Sequence, residues 1–199
     1  MSIAHPINAQ YANNPQLELA TLGGGCFWCV EAAFAVLKGV VDVESGYAGS
    51  DDSTSSKALW MLNQVMRAAM CTGRTGLAEV VQVLFDPKVI TYEKILAVFF
   101  AVHNPTTLNQ QGADKGTQYR SVIYTHSDAQ DAIARAMLPH IEADWGGPVV
   151  TQVETVHHYT RAEDYHQEYF AQHPFQGYCQ AVIPPKLAKL RANYADMLK

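Results

Sequence analysis

The feature that most constrains this chain is a cysteine placed where a glycine turn meets the start of a helix. Residues 17–22 alternate apolar and polar side chains as a half-buried strand does, and the three glycines from Gly23 to Gly25 follow directly. The apolar spacing then becomes helical over residues 26–37. Cys26 is therefore predicted at a helix N-terminus, where free N–H groups stabilise a thiolate and lower the thiol pKa. This setting indicates redox or covalent catalysis.

Size and charge narrow the classes of protein that fit. The chain has 199 residues, of which 48% are hydrophobic and 17% charged, enough for one substantial core. We expect a polar N-terminal extension over residues 1–16 and a single catalytic domain over residues 17–199. A formal net charge of -5 gives no basis for nucleic-acid binding. With no apolar stretch of membrane-spanning length and no secretory signal, we expect a cytoplasmic protein. We also expect a monomer.

The rest of the chain alternates between strand and helix patterns. Strands are predicted over residues 40–45, 78–85, 119–125 and 149–156. Helices are predicted over residues 57–70, 91–102, 127–142 and 162–173, with a last one starting at Pro184 and Pro185. The long polar tract over residues 103–116 is typical of a site-forming loop. We therefore predict an α+β fold, a two-layer sandwich with a mixed central sheet and an elaborated ferredoxin-like core.

The other cysteines leave several interpretations open. Cys26 and Cys29 form a C-x-x-C pair whose spacing on a helix permits disulfide geometry, as in a thioredoxin-like redox site. A zinc site would need further ligands, and the chain has no second such pair. Any lone cysteine can also be a small buried apolar residue, which we prefer for Cys71.

Several other side chains have both a catalytic and a structural interpretation. Glu79 begins an apolar strand, where burial would raise its pKa and retain a proton, or where it would simply be an exposed edge residue. Tyr47 and Tyr119 could donate hydrogen bonds to a substrate or pack near strand ends. Asp114 could belong to a polar pocket or form a turn. Phe27 and Trp28 could form an apolar wall for a methyl or thioether group or belong to the core.

A series of short motifs resembles peptide methionine sulfoxide reductase A. The blocks follow in the family's order and span most of the chain: Gly-Gly-Cys-Phe-Trp at 24–28, Ser-Gly-Tyr-Ala-Gly at 45–49, Thr-Gly-Arg-Thr-Gly at 72–76, Ala-Glu-Val at 78–80, Asp-Pro at 86–87, Asn-Pro-Thr-Thr at 104–107, Gly-Thr-Gln-Tyr-Arg-Ser at 116–121, Ala-Glu-Asp-Tyr-His-Gln at 162–167 and Gly-Tyr-Cys at 177–179. Each block is moderately specific, and their ordered occurrence makes chance similarity an unattractive explanation.

The resemblance implies a thiol-dependent enzyme that reduces the S epimer of methionine sulfoxide, free or in proteins, and so repairs oxidised proteins. Its implied residue roles are a nucleophile, a methyl-binding pair, groups around the sulfoxide oxygen, and resolving thiols. The resemblance implies that Cys26 is the nucleophile and that Phe27 and Trp28 bind the methyl side. Glu79, Tyr47 and Tyr119 would surround the sulfoxide oxygen, supported by Asp114. Cys179 would be the resolving thiol, with Tyr178 lining the site and Cys29 as an alternative resolving residue.

The implied cycle needs no bound cofactor or metal. Cys26 becomes a sulfenic acid, a disulfide forms, and an external thiol reductant, expected to be thioredoxin, reopens it. Two departures from the family pattern are Leu77, where the family usually has His, and an unusual connection over residues 50–71. Two other functions stay open at this point: a thioredoxin-like disulfide oxidoreductase, and a noncatalytic module that binds methionine-like side chains.

Overall fold

The computed structural model describes residues 7–49 and 75–199. The strands in this part of the chain are β1 Glu18–Gly24, β2 Val40–Gly49, β3 Ala78–Phe85, β4 Gln110–Gln111, β5 Asp114–Lys115, β6 Ser121–Thr125, β7 Gln152–Thr155 and β8 His158–Arg161. The α-helices are α1 Ile7–Asn13, α2 Phe27–Ala35, α3 Tyr92–Val102, α4 Asp128–Trp145, α5 Tyr169–Gln172 and α6 Gly177–Asn193. The predicted helix over residues 57–70 and Cys71 lie outside the described residues.

The main sheet has six strands in the order β7-β6-β1-β3-β2-β8. Only β6 and β7 pair in parallel, and every other neighbouring pair is antiparallel. Within it, β1-α2-β2-β3-α3-β6 is a β-α-β-β-α-β unit with strand order β6-β1-β3-β2, the ferredoxin-like arrangement. The predicted α+β class with a mixed central sheet is confirmed. The added strands β7 and β8 extend the unit at its two edges.

The main core lies between the sheet and the helices on one of its faces. Leu22 of β1 and Val83 of β3 belong to one buried cluster with Phe34 of α2 and Phe99 of α3. Because side chains alternate along a strand, neighbouring residues point to the opposite face. This packing fixes α2, and hence the residues at its N-terminus, against the end of β1.

The opposite face of the sheet is covered in part by the N-terminal segment. Ile7 of α1 is fully buried against Leu19 of β1 and Leu84 of β3. The sequence pattern over residues 1–16 showed no periodic apolar face, so this helix was not predicted. This helix has only seven residues and packs on the sheet through one buried side chain, that of Ile7, so it has no repeated apolar pattern to recognise.

Two predicted helix starts are confirmed by their caps. The Thr91 hydroxyl accepts a hydrogen bond from the Lys94 amide at 3.4 Å, and the Ser127 hydroxyl accepts one from the Gln130 amide at 3.2 Å. Each satisfies an amide that has no partner inside the helix. These local signals could be recognised without any knowledge of the tertiary structure.

Several predicted elements differ from the structure. β2 continues through Gly49 instead of ending at residue 45, because it pairs with both β3 and β8. The predicted helix over residues 162–173 is a 3₁₀ turn, Asp164–His166, followed by α5. The final helix begins at Gly177, so Pro184 and Pro185 lie inside it and not at its start. Within the described residues, no helix is long and apolar enough to cross a bilayer.

Candidate active site

Cys26 is the N-cap residue of α2, directly after the glycines that end β1. Gly25 has a φ of +91°, and a Cβ there would lie 2.6 Å from Cγ of Gln111, so both the backbone and the available space require glycine. The Cys26 side chain makes no capping hydrogen bond and is only partly buried. The glycine turn therefore presents this thiol at an accessible helix start.

The carboxyl group of Glu79 lies beside the backbone that follows Cys26. Glu79 Oε2 accepts a hydrogen bond from the Phe27 amide at 3.2 Å. Burial raises the pKa of Glu79 to about 8; the Phe27 bond opposes this shift, and the negative charge of Asp114 adds to it. Glu79 is thus mainly protonated at neutral pH, the state that a general acid needs.

Tyr47 is the cross-strand neighbour of Glu79, opposite it in the β2–β3 ladder. Its side chain is 2% exposed, and its ring centroid lies 5.6 Å from that of Phe27. The Tyr47 hydroxyl donates to Glu163 Oε2 at 3.4 Å. Burial, followed by the charges of Glu163 and Glu79, raises the pKa of Tyr47. This hydroxyl therefore remains a hydrogen-bond donor.

The polar loop over residues 103–116 contains the small hairpin of β4 and β5. Asp114 of β5 accepts a 2.5 Å hydrogen bond from the hydroxyl of Tyr178, which joins this hairpin to the start of α6. Tyr119 ends the 3₁₀ turn Thr117–Tyr119, which contacts β3, the strand that carries Glu79. The predicted strand over residues 119–125 begins only at Ser121 because this turn precedes it.

An aromatic wall lies beside the thiol. The Trp28 ring stacks on Tyr169, with centroids 3.7 Å apart and planes 5° apart. Trp28 Nε1 donates to Nδ1 of His166 at 3.1 Å. The rings of Phe27 and His166 have centroids 5.1 Å apart, and the centroids of Tyr178 and Trp28 are 6.2 Å apart with the ring planes at 73°. These contacts fix the orientation of the indole on two sides.

Three thiols meet in one apolar cluster. Cys29 and Cys179 are buried there together with Ile183, and Cys26 packs against them from its partly exposed position. All three are free thiols. In the described ranges, no group of three or more His, Cys, Asp or Glu side chains could hold a metal ion, so the zinc interpretation of the C-x-x-C pair gains no further ligands there.

The thiols of Cys26 and Cys29 shift each other's pKa in opposite directions. Hydrogen bonding to Cys29 is the largest cause that raises the pKa of Cys26, and burial and the charge of Glu79 add to it. The same interaction lowers the pKa of Cys29; burial opposes this shift and the positive charge of Lys186 supports it. The sequence predicted a lowered pKa for Cys26, and this prediction is wrong, because two neighbouring thiols titrate as a pair in which the first proton lost hinders loss of the second.

The similarity of the chain to known proteins agrees with this arrangement. Residues 18–198 match the family model described as peptide methionine sulfoxide reductase. The chain belongs to this family. It is 52% identical over 188 residues to peptide methionine sulfoxide reductase MsrA of Polynucleobacter asymbioticus, a match that covers 94% of each chain. The protein is accordingly an oxidoreductase that acts as a methionine sulfoxide reductase.

Solved structures support the same assignment. Reduced Mxr1 from Saccharomyces cerevisiae superimposes on this reductase with a TM-score of 0.71 at 36% identity, covering 81% of this chain and 88% of that one. Mxr1 has also been solved in complex with Trx2; that chain matches with a TM-score of 0.54 at 28% identity, covering 78% of this chain and 86% of the other.

Sequence reasoning about this reductase missed Glu163, His166 and Tyr169, although residues 162–167 formed one of the resembling blocks. It also missed Glu31, a carboxylate of α2 that is 3% exposed. Burial raises the pKa of Glu31 to about 7, and hydrogen bonds from Glu168, Ser45 and Tyr169 oppose this shift. Helix periodicity could have pointed to Glu31, because it lies three residues after Trp28 and therefore on the same side of the helix.

Proposed function

We propose that this reductase acts on the S epimer of methionine sulfoxide, free or in proteins, with Cys26 as its nucleophile and Glu79 as its acid. The observation that carries the proposal is the hydrogen bond from the Phe27 amide to Glu79. It places a mainly neutral carboxyl group beside the residue that follows a helix-capping thiol. The nucleophile at the start of α2 and the proton donor on β3 would therefore approach one substrate from neighbouring positions.

In the first step, the Cys26 sulfur attacks the sulfoxide sulfur while Glu79 protonates the oxygen. The S–O bond of the substrate breaks as the oxygen is transferred to Cys26, which becomes a sulfenic acid, and methionine leaves. The sulfoxide is reduced by two electrons as the thiol is oxidised by two. The attacking species is the thiolate, so the Cys26 thiol has to lose its proton before or during the attack. Tyr47 and Tyr119 would donate hydrogen bonds to the oxygen as charge develops on it.

Phe27 and Trp28 would hold the methyl side of the substrate. Trp28 is suited to this because its ring is fixed by Tyr169 and His166. Asp114 and Tyr178 would complete the polar side of the pocket, since their hydrogen bond links the β4–β5 hairpin to α6. An aromatic face next to polar donors suits a side chain that carries both a methyl group and a polar S–O bond.

In the second step, Cys179 attacks the sulfenic sulfur, water leaves, and a disulfide forms. Cys29 is the alternative resolving residue, because both thiols share the apolar cluster that Cys26 contacts. An external dithiol then takes over the disulfide by exchange, which returns both protein thiols. The solved complex of Mxr1 with Trx2 supports thioredoxin as that reductant.

The thiols and the external reductant supply all the electrons, so the proposed cycle uses no bound cofactor or metal. Residues 17–199 would act as one catalytic unit, and we propose a monomer that works in the cytoplasm and repairs oxidised proteins. The family assignment favours this activity over a disulfide oxidoreductase or a methionine-binding module.

The deciding experiment offers the separate S and R epimers of a methionine sulfoxide peptide to the enzyme with thioredoxin, its reductase and NADPH. We expect methionine release and NADPH oxidation with the S epimer alone. Equal turnover of the R epimer would overturn the stereochemical proposal. Turnover that thioredoxin does not support, but a small dithiol does, would overturn the proposed reductant.

A further inference from the structure

One buried carboxylate near the site has no part in the proposed chemistry. Glu31 Oε1 accepts hydrogen bonds from the Ser45 hydroxyl at 3.2 Å and from the Glu168 amide at 3.0 Å. Glu31 Oε2 accepts one from the Tyr169 amide at 3.3 Å. Burying a carboxylate is costly unless such bonds satisfy it. Glu31 is thus placed where its hydrogen bonds organise a neighbouring segment.

That segment includes a residue in an unfavourable backbone conformation. Glu168 adopts a φ of 50° and a ψ of 33°, a left-handed conformation that is unfavourable for a residue with a side chain. It precedes the four residues of α5, and its own side chain makes no capping hydrogen bond. The amides that begin this short helix are instead bound by Glu31, from a different part of the chain. The strained turn is therefore maintained by a tertiary contact.

Ser45 of β2 joins the same network. Its hydroxyl donates to Glu31, while its amide donates to Oε1 of Gln167 and its carbonyl accepts from Nε2 of Gln167, both at 2.9 Å. Residues 167–169 are consequently attached to α2 through Glu31 and to β2 through Ser45. Glu31 and Ser45 are both almost fully buried.

The attached segment supplies the groups that orient Trp28. Tyr169 stacks on the indole, and His166 accepts the hydrogen bond from its Nε1. We propose that Glu31 is a positioning residue of the substrate pocket, which keeps Tyr169 and His166 against Trp28 by holding the Glu168 and Tyr169 amides. This inference rests on the proposed role of Trp28 in binding the substrate methyl group. Glu31 itself would not touch the substrate.

The first test is Glu31→Gln, which keeps the size of the side chain. Its single oxygen can replace only one of the two acceptors, and its NH₂ group would face an amide donor. We expect amide hydrogen exchange at Glu168 and Tyr169, followed at pH 8 on the full-length protein without substrate, to become about tenfold faster, the effect of losing one charge-assisted hydrogen bond. Unchanged exchange at these two amides would overturn the proposal.

The second test measures the pocket itself. In a Trp60→Phe, Trp145→Phe background, the fluorescence comes from Trp28 alone. We expect Glu31→Gln to make Trp28 more accessible to acrylamide quenching. In turnover, KM should rise by about tenfold while kcat changes by less than about threefold, because binding is loosened and the reacting groups are retained. Unchanged quenching and KM would overturn the positioning role.

Two further variants separate positioning from a general loss of stability. Gln130→Ala is the matched control, because Gln130 is a buried polar residue that bonds the Leu19 carbonyl and the His126 amide far along the sheet. It should leave exchange at Glu168, quenching and KM unchanged. Ser45→Ala removes only one donor to Glu31 and should shift the same readouts in the same direction by a smaller factor. It provides the test if Glu31→Gln does not fold, and no shift in it would then overturn the proposal.

Failure of the inference and failure of the proposed function give different results. If the parent enzyme reduces methionine sulfoxide but Glu31→Gln leaves exchange, quenching and KM unchanged, the positioning role is wrong and the proposed function stands. If exchange and quenching respond in Glu31→Gln but the parent enzyme releases no methionine, the proposed function is wrong. In that case Glu31 positions a pocket of another kind, and the inference for the substrate pocket falls with the function.

Discussion

Glu79 Oε2 lies 3.2 Å from the amide nitrogen of Phe27, the residue directly after Cys26. The carboxyl group of β3 is thereby tied to the first residue of α2. Since α2 is fixed in the main core, this hydrogen bond holds the Glu79 carboxyl group, the proposed acid, near the start of the helix that Cys26 caps. Such preorganisation is what proton transfer in a transition state requires.

Replacing Glu79 by Gln should slow the chemical step and leave the fold intact. The amide retains an oxygen for the Phe27 N–H but has no acidic proton to give. We expect methionine formation in a single turnover to fall by about 10²- to 10⁴-fold, the range for a lost general acid. Rapid-quench measurement of methionine released per enzyme checks this, with Glu154→Gln on strand β7 as a matched control that should retain the parent rate. A parent-like rate in Glu79→Gln would remove Glu79 from the acid role.

The pH profile should show the raised pKa of Glu79. Reaction needs Cys26 as thiolate and Glu79 as neutral acid, and the pKa of Cys26 is raised above its ordinary value whereas that of Glu79 is about 8. As the pH rises to about 8, the thiolate fraction increases and the rate rises with it. Above that pH, each gain of thiolate is offset by loss of protonated Glu79, so the single-turnover rate should level off.

Glu79→Gln provides the comparison for that profile. With no carboxyl group to titrate, its much slower rate should continue to rise above pH 8, following the thiol alone. Single-turnover rates between pH 6 and 9.5 decide the matter. Profiles of the same shape in the two proteins would show that another group produces the plateau.

Serine replacements should separate the two candidate resolving thiols. Cys179→Ser should release one methionine per enzyme and accumulate a dimedone-reactive sulfenic acid, because nothing then attacks Cys26 efficiently. Thioredoxin-supported turnover should be lost in this variant and kept in Cys29→Ser. Methionine quantification and mass spectrometry of the adduct measure both effects, with Cys71→Ser as the control that keeps both activities. The reverse pattern would assign resolution to Cys29.

Lys186→Met should raise the pKa of Cys29. The largest cause that lowers this pKa is the hydrogen bond with Cys26, and the positive charge of Lys186 adds to it. Without that charge, the thiolate fraction at pH 7 should fall. The ¹³Cβ chemical shift of Cys29, followed by NMR across a pH series, reports the shift without requiring a reagent to reach the buried thiol. Lys88→Met, at an exposed position, should leave the series unchanged, and an unshifted series in Lys186→Met would contradict the prediction.

Local signals in the sequence were sufficient for much of the fold. The alternation in β1, the apolar run of β3 and the hydroxyl caps of α3 and α4 each depend on neighbouring residues. The segment over residues 162–173 was predicted wrongly because its shape depends on Glu31 and Ser45, which lie more than 100 positions earlier in the chain. The early start of α6 was missed because two prolines normally mark a helix beginning.

The candidate site divides in the same way. Phe27 and Trp28 could be placed beside Cys26 because they adjoin it in sequence, and Glu79 was singled out as a carboxyl group on an apolar strand. The contacts of His166 and Tyr169 with Trp28 join positions far apart in the chain, and no periodic pattern encodes them. The raised pKa of Cys26 and the lowered pKa of Cys29 also depend on three-dimensional neighbours, chiefly the interaction of the two thiols with each other.

The two prolines inside α6 have a mechanical consequence for the sulfur that precedes them. Proline has no N–H, so the carbonyls four positions before Pro184 and Pro185, those of Gln180 and Ala181, lack their usual helical donors. Two fewer backbone hydrogen bonds therefore join the first turns of α6, which contain the fully buried Cys179, to the rest of the helix. Local unfolding that exposes this thiol should accordingly cost less free energy than it would in a helix without these prolines.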